Sequence, residues 1–109
     1  MCRASKVLCV AEGQERLTAL KAATASAGWE LAPGASDEAS AIGQVDSERP
    51  HVLVAFGDFG RLVGLVRERF PAMMIVTDRD APGADAVATS LEEVRGLIEG
   101  LPRPGGPVL

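Results

Sequence analysis

The stretch HVLVAFGDFG, residues 51–60, joins a continuous apolar run to a turn bounded by glycines. A short run rich in Val and Leu, without polar alternation, predicts a strand buried on both faces of a parallel sheet. Gly57 and Gly60 on either side of Asp58 predict a tight turn directly after that strand. In open α/β sheets, ligands bind at the carboxyl ends of the strands. In this chain that position holds Phe56, with Asp58 two residues later.

Similar apolar runs predict four more strands, over 6–11, 29–34, 72–77 and 84–89. Helices are predicted after the first, second, third and last strands, because apolar residues there recur at three- and four-residue steps. Gly28 is expected to end the first helix and Ser36 to cap the second. Pro71 is expected to end the third, and Ser90 and Glu93 form a capping box for the last.

This alternation of strands and helices predicts an α/β fold. We expect a five-stranded parallel sheet, doubly wound, in a flavodoxin-like three-layer sandwich. The segment DRDAPG, residues 78–83, is too short for the dozen or more residues that a parallel crossover needs. The helix between strands 4 and 5 is therefore expected to be shortened or missing. One domain is expected over 1–101, followed by a flexible tail over 102–109.

Composition narrows the classes of function. The chain has 109 residues, 47% of them hydrophobic, which is enough for one buried core. A net charge of −4 argues against a nucleic-acid partner, since such partners require a basic face. Cys2 and Cys9 are too few for a disulfide framework and suit a reducing cytoplasm. No run of about 18 apolar residues predicts a membrane span, so we expect a cytoplasmic protein without a membrane partner.

Four phrases stand in an informative order: KVLCVAE at 6–12, RPHVLVAF at 49–56, RERFPAMMIVT at 67–77 and GADAVATSLEEV at 83–94. In this order and spacing they resemble the receiver domain of two-component response regulators. The resemblance covers about residues 5–101. In receivers these phrases hold, in turn, two paired acids, the phosphorylated Asp, a Thr or Ser, and the active-site Lys.

Carried over position by position, the resemblance implies a largely emptied phosphorylation site. The positions are Ala11 and Glu12 for the two Mg²⁺-binding acids, Phe56 for the phosphoacceptor, Thr77 for the hydroxyl, Ser90 (or Thr89) for the lysine and Val87 for the aromatic switch. Phosphoryl transfer to a carboxylate needs a nucleophile and cations that neutralise the phosphate. The resemblance therefore implies a degenerate, non-phosphorylatable pseudo-receiver. It would be no enzyme, would hold no metal or cofactor, and would act as a protein–protein interaction module in bacterial regulation.

Two alternative functions stay open. Asp58 is either a displaced phosphoacceptor working with Glu12, in an unconventional active receiver, or a turn residue that caps the third helix. Cys9, followed by Gly13 and Arg16, resembles the thiolate loop of a small phosphate-handling enzyme. The spacing is one residue longer than in tyrosine phosphatases, and Cys9 lies within a predicted strand. The other interpretation is a buried cysteine that packs as a small apolar residue.

The short 78–83 segment also predicts an interaction surface. Without a covering helix, apolar side chains of strands 4 and 5 would lie near solvent, and exposed apolar patches mark partner sites. The candidate face comprises Met73, Ile75, Ala84 and Val87, and its partner is another protein or a second copy of the chain. The alternative is that the loop and the tail cover this face.

Two further interpretations concern isolated polar residues. The acids at predicted strand ends, Glu12, Asp58, Asp78 and Asp80, form either a weak cation site or a set of solvated loop residues. His51, the single histidine, is expected to be a surface residue without a partner.

Overall fold

The computed structural model describes residues 5–25, 29–79 and 83–100. Its strands are β1 (Ser5–Ala11), β2 (Trp29–Leu31), β3 (Val52–Phe56), β4 (Met74–Thr77) and β5 (Ala86–Val87). Its helices are α1 (Gln14–Thr24), α2 (Glu38–Glu48), α3 (Gly60–Arg69) and α4 (Leu91–Gly100). All strand pairs are parallel, in the order β2-β1-β3-β4-β5. The predicted five-stranded, doubly wound α/β fold is confirmed, and no helix lies between β4 and β5 among the described residues.

The three central strands alternate their side chains between two separate cores. Leu8, Leu53 and Ile75 are fully buried on the face that α2 and α3 cover. Cys9 and Val54 are fully buried on the opposite face, against α1 and α4. Apolar side chains on both faces explain why these strands are continuous apolar runs. None of the helices in the described ranges has the length and apolar content needed to cross a bilayer.

Several predicted ends were wrong, and each has a local reason. The first helix ends at Thr24, where the Trp29 indole N–H donates to the Thr24 carbonyl at 2.9 Å. Gly28 lies outside the described residues. The cap of α2 is Asp37 and not Ser36, since its carboxylate accepts from Ser40 N at 2.7 Å.

Strand β5 has two residues in place of the predicted 84–89, because side chains replace strand pairing at its start. The Asp85 amide donates to the Ile75 carbonyl at 2.8 Å, but the Ile75 amide donates to the Asp85 carboxylate at 2.8 Å. Arg67 of α3 also binds that carboxylate, and its Nε and Nη2 donate to the Gly83 carbonyl at 3.1 and 2.9 Å. Its Nη1 donates to the Pro71 carbonyl at 2.8 Å. We call the contacts of Arg67 with Gly83, Pro71 and Asp85 the Arg67 clasp. They hold the segment that follows β4.

The structure corrects the predicted interaction face at two of its four residues. Met73 is 5% exposed and Ile75 is fully buried, both in the core under α2 and α3. They therefore cannot contribute to an exposed surface. Ala84 is half-buried and Val87 is 38% exposed. Gly83 lies next to Val63 and Arg67 of α3. The alternative that the loop and the tail cover the face concerns residues 80–82 and 102–109, which lie outside the described residues.

Candidate functional site

The carboxyl ends of β1, β3 and β4 lie side by side and carry the predicted site. The register pairs Ala11 with Phe56 and Thr77 with Ala55 on one side and Val87 on the other. The turns that follow these strands supply Glu12, Asp58 and Asp78, which we call the acidic edge. The structure thus brings together Ala11, Phe56, Thr77 and Val87, four of the positions that the resemblance assigned to the site.

The residues that end β1 and β3, Ala11 and Phe56, have side chains without an oxygen atom. Ala11 is fully buried. Phe56 is half-buried, and its ring packs against the core under α1 and α4. A phenyl ring directed into an apolar core offers neither a nucleophile nor a ligand for a hard cation.

Two acids of this edge bind the turn after β3. Oε1 of Glu12 accepts from Asp58 N at 3.3 Å, and Oδ1 of Asp78 accepts from Gly57 N at 3.2 Å. Gly57 itself is buried, with φ +123, and a Cβ there would lie 2.6 Å from Oε1 of Glu12. Glycine is required by this backbone conformation, which side chains rarely adopt.

The acidic edge has its own cation, Arg79, which the sequence analysis did not identify. Its Nε lies 3.1 Å from Oδ1 of Asp78 and its Nη2 3.3 Å from Oδ2. Burial by itself raises the pKa of Asp78, but hydrogen bonds from Arg79 and from Gly57 N outweigh it and lower the pKa below 3.8. The pKa of Arg79 is raised, chiefly by its hydrogen bond with Asp78 and in part by the charges of Asp58 and Glu12. The only signal in the sequence was a basic residue two positions after the threonine that closes β4.

The predicted hydroxyl of Thr77 is already bound. Thr77 is 3% exposed, and its Oγ1 donates to the carbonyl oxygen of Arg79 in the loop that follows. At the lysine position, Ser90 and Thr89 are both exposed. The Glu93 carboxylate accepts from the amide of Thr89 at 3.2 Å and from its hydroxyl. The carboxylate of the predicted capping box therefore binds Thr89, one residue before the predicted cap Ser90.

Asp58 is a turn residue and does not cap the third helix. The cap of α3 is Phe59, whose amide donates to the Gly57 carbonyl at 3.0 Å across Asp58. Asp58 is exposed beyond the end of β3. In the described ranges no group of three or more His, Cys, Asp or Glu side chains is arranged to hold a metal ion. Asp80, the fourth acid of the predicted cation site, lies outside those ranges.

Cys9 and His51 both occupy structural positions. Cys9 is fully buried, and burial raises the pKa of its thiol to about 11. A nucleophilic cysteine needs an accessible, electropositive setting, so this geometry does not suit a phosphate loop. The expectation that His51 lacks a partner was wrong, because its Nδ1 accepts from Lys6 N at 3.1 Å.

The fold is that of response-regulator receiver domains. The chemotaxis response regulator CheY4 of Vibrio cholerae superposes with a TM-score of 0.72 at 18% identity, covering 89% of this chain and 98% of that one. A CheY-like receiver domain protein of Methanospirillum hungatei gives 0.72 at 16%, over 89% and 92%. HP1043, an orphan response regulator of H. pylori, gives 0.69 at 12%, over 87% and 93%. No protein-family model and no curated protein sequence matches the chain.

Proposed function

We propose that this chain is a receiver-type signalling domain that accepts no phosphoryl group and works through contacts with a protein partner. The observation that carries the proposal is Phe56, which stands at the acceptor position and packs into the core. Acyl-phosphate formation begins with attack by a carboxylate oxygen on phosphorus, and a phenyl ring has no such oxygen.

The charges of the acidic edge support the same proposal. In phosphoryl transfer, a divalent cation and a basic side chain neutralise the transferred group. Here the guanidinium of Arg79 already pairs with Asp78, and the Glu12 carboxylate is bonded to the turn after β3. Of the two positions for metal-binding acids, Ala11 would offer a metal no ligand, so only the Glu12 carboxylate remains.

Two other hydroxyl groups of the candidate site are bound within the chain. Thr77 donates its hydroxyl to the Arg79 carbonyl, and the Thr89 hydroxyl donates to Glu93. Neither is held ready for a phosphate oxygen. As part of the same proposal we place the domain in the cytoplasm, where a free thiol such as Cys9 stays reduced.

The test is incubation of the full chain with acetyl phosphate and Mg²⁺, followed by intact-mass measurement at acidic pH. The expected result is no gain of a phosphoryl group, while a receiver with an intact site gains one in a parallel reaction. The same experiment on Asp58→Asn is the matched control. A stoichiometric phosphoryl adduct on the wild type would overturn the proposal. If that adduct disappeared in Asp58→Asn, the displaced acceptor would be established in its place.

A further inference from the structure

An open groove of about 370 Å³ lies at the opposite edge of the sheet, where β3 and β4 begin. It is lined by Arg49, Pro50, His51, Arg69, Phe70, Pro71, Ala72 and Met73. The loop before β3 supplies one wall, and the end of α3 with the loop after it supplies the other. A volume of this size falls in the range of ligand-binding clefts.

The polar lining of the groove is entirely basic or neutral, although the chain as a whole carries a net charge of −4. Arg49 and Arg69 are both exposed guanidinium groups. Nη2 of Arg49 lies 4.0 Å from Oδ1 of Asp46, and its Nε donates to the Asp46 carbonyl at 2.9 Å. His51, the third polar residue of the lining, accepts at Nδ1 from Lys6 N at 3.1 Å.

Arg49 holds an unusual backbone conformation for an arginine. It ends α2 with φ 48 and ψ 57, and it is the one non-glycine residue with positive φ in the described ranges. Glycine is the ordinary residue at such a position because it has no Cβ. The guanidinium carbon lies over the Phe70 ring, 5.5 Å from its centre, and both residues line the groove.

A second, narrower crevice of about 10 Å³ shares Arg69 and Phe70 with the groove. It runs between α2 and α3, and the rest of its lining is apolar: Ile42, Val45, Leu65 and Val66. The crevice has room for about one water molecule, so it marks an apolar border of the groove and not a second pocket. A groove with basic and apolar lining suits a chain that carries both acidic and apolar side chains.

We propose that this groove binds an extended acidic peptide segment of a partner protein. Its carboxylates would pair with Arg49 and Arg69, and an apolar side chain between them would lie against Phe70 at the mouth of the crevice. The inference rests on the proposed function in one respect: an interaction module requires a partner, and the peptide segment would belong to that partner. Phosphoryl transfer and peptide binding involve opposite edges of the sheet, so the two proposals fail independently.

The test is an NMR titration of the ¹⁵N-labelled full chain with the blocked peptide Glu-Asp-Leu-Phe-Glu-Asp. Amide shifts are expected at His51, Phe70 and Met73, and raised salt should weaken binding because the contacts are electrostatic. Arg49→Gly removes the guanidinium and leaves a residue that suits the backbone. Combined with Arg69→Gln, it should weaken binding about fivefold or more, as expected for two exposed charge pairs. Arg16→Gln is the matched control, because Arg16 is an exposed residue of α1, and this variant should bind the peptide as the wild type does.

Four results would overturn the proposal. They are the absence of shifts at the groove, equal binding by the neutral peptide Gln-Asn-Leu-Phe-Gln-Asn, unchanged affinity in the double variant, and identical shifts from sodium acetate at equal carboxylate concentration. Light scattering tests whether a second copy of the chain occupies the groove. Self-association that the double variant abolishes, without peptide binding, would assign the groove to a second copy of the chain and overturn the peptide proposal.

Discussion

Replacing Arg67 by Met should detach the segment that follows β4 while leaving the central strands intact. Met keeps most of the apolar stem and removes every donor of the Arg67 clasp. The lost contacts are those to the carbonyls of Gly83 and Pro71 and to the carboxylate of Asp85. Asp85 then remains bonded to Ile75 N alone, and its charge has no partner in the clasp.

The magnitude follows from the number and exposure of these contacts. The Arg67 and Asp85 side chains are 31% and 32% exposed, so solvent screens the ion pair in part. A hydrogen bond contributes about 0.5–1.5 kcal/mol net, more when one group is charged. Three acceptors, discounted for solvent, give a loss of about 2–3 kcal/mol. The equilibrium constant for opening the β4–β5 pairing should therefore rise about 30-fold or more, since 1.4 kcal/mol is a factor of ten.

Native-state hydrogen exchange measures this directly at the amides of Asp85 and Ala88, which donate across the β4–β5 pair. In Arg67→Met these amides should exchange faster by about the calculated factor, whereas Val54 in β3 should follow only global stability measured by urea unfolding. Arg67→Lys keeps the charge but not the fork of donors, and it should recover less than half of the loss.

The control on the same helix is Arg61→Met, because Arg61 is 84% exposed and pairs with Glu38 at 3.7 Å. It should change stability by less than about 0.5 kcal/mol. The reasoning would be refuted if Arg67→Met exchanged as the wild type does at Asp85 and Ala88. Full rescue by lysine would show that charge, and not the geometry of the clasp, holds the segment.

Three further predictions follow from other positions. Gly57→Ala should lower the free energy of unfolding, measured in urea, by about 1–3 kcal/mol because of the positive φ at this residue. Gly64→Ala, where an added Cβ meets open space on α3, should raise it by about 0.5–1 kcal/mol. Equal effects of the two substitutions would contradict the backbone argument. The stabilisation from Asp78 is present above its unfolded pKa and is lost as pH falls through the lower folded pKa. The difference in the free energy of unfolding between wild type and Asp78→Asn should therefore shrink below pH 3.8. A difference that stayed constant from about pH 7 to pH 3 would exclude this contribution of the Asp78 charge. In a Cys2→Ser background, Cys9 should react with a thiol reagent at pH 8 only at the rate of unfolding, because it is buried and its pKa is about 11; rapid labelling of the native protein would count against this.

The fold was predictable because buried parallel strands leave continuous apolar runs in the sequence. VLVAF and the corresponding run of β1 are such strands, with alternate side chains in two cores. The extent of β5 was not predictable in the same way. It depends on Asp85 replacing a strand in binding Ile75 N, and on Arg67 reaching 16 and 18 residues along the chain. A periodicity of two or 3.6 residues contains no information on such contacts.

The residues at the ends of β1 and β3 could be read from the sequence, whereas the ion pair of Arg79 with Asp78 could not. Phe56 and Ala11 could be placed by counting from Pro50 and along the first strand. Arg79 was missed because its pairing with Asp78 arises from the path of the loop after β4, and neighbouring charges in a loop carry no periodic signal. The expectation of an open face at strands 4 and 5 did not take into account that Met73 and Ile75 lie on the side of the sheet that α2 and α3 cover.

The packing of Phe56 has a consequence for how this chain can change. Aspartate at this position would remove a half-buried ring from the core under α1 and α4, which costs about 1 kcal/mol in apolar burial. It would also add a carboxylate between turns that already carry Glu12 and Asp78, with Arg79 as the single cation paired there in the described ranges. Introducing an aspartate by this one substitution therefore gives a less stable protein. Substitutions that improve the packing around the Phe56 ring would increase that loss further, so the ring becomes harder to replace as its surroundings adapt to it.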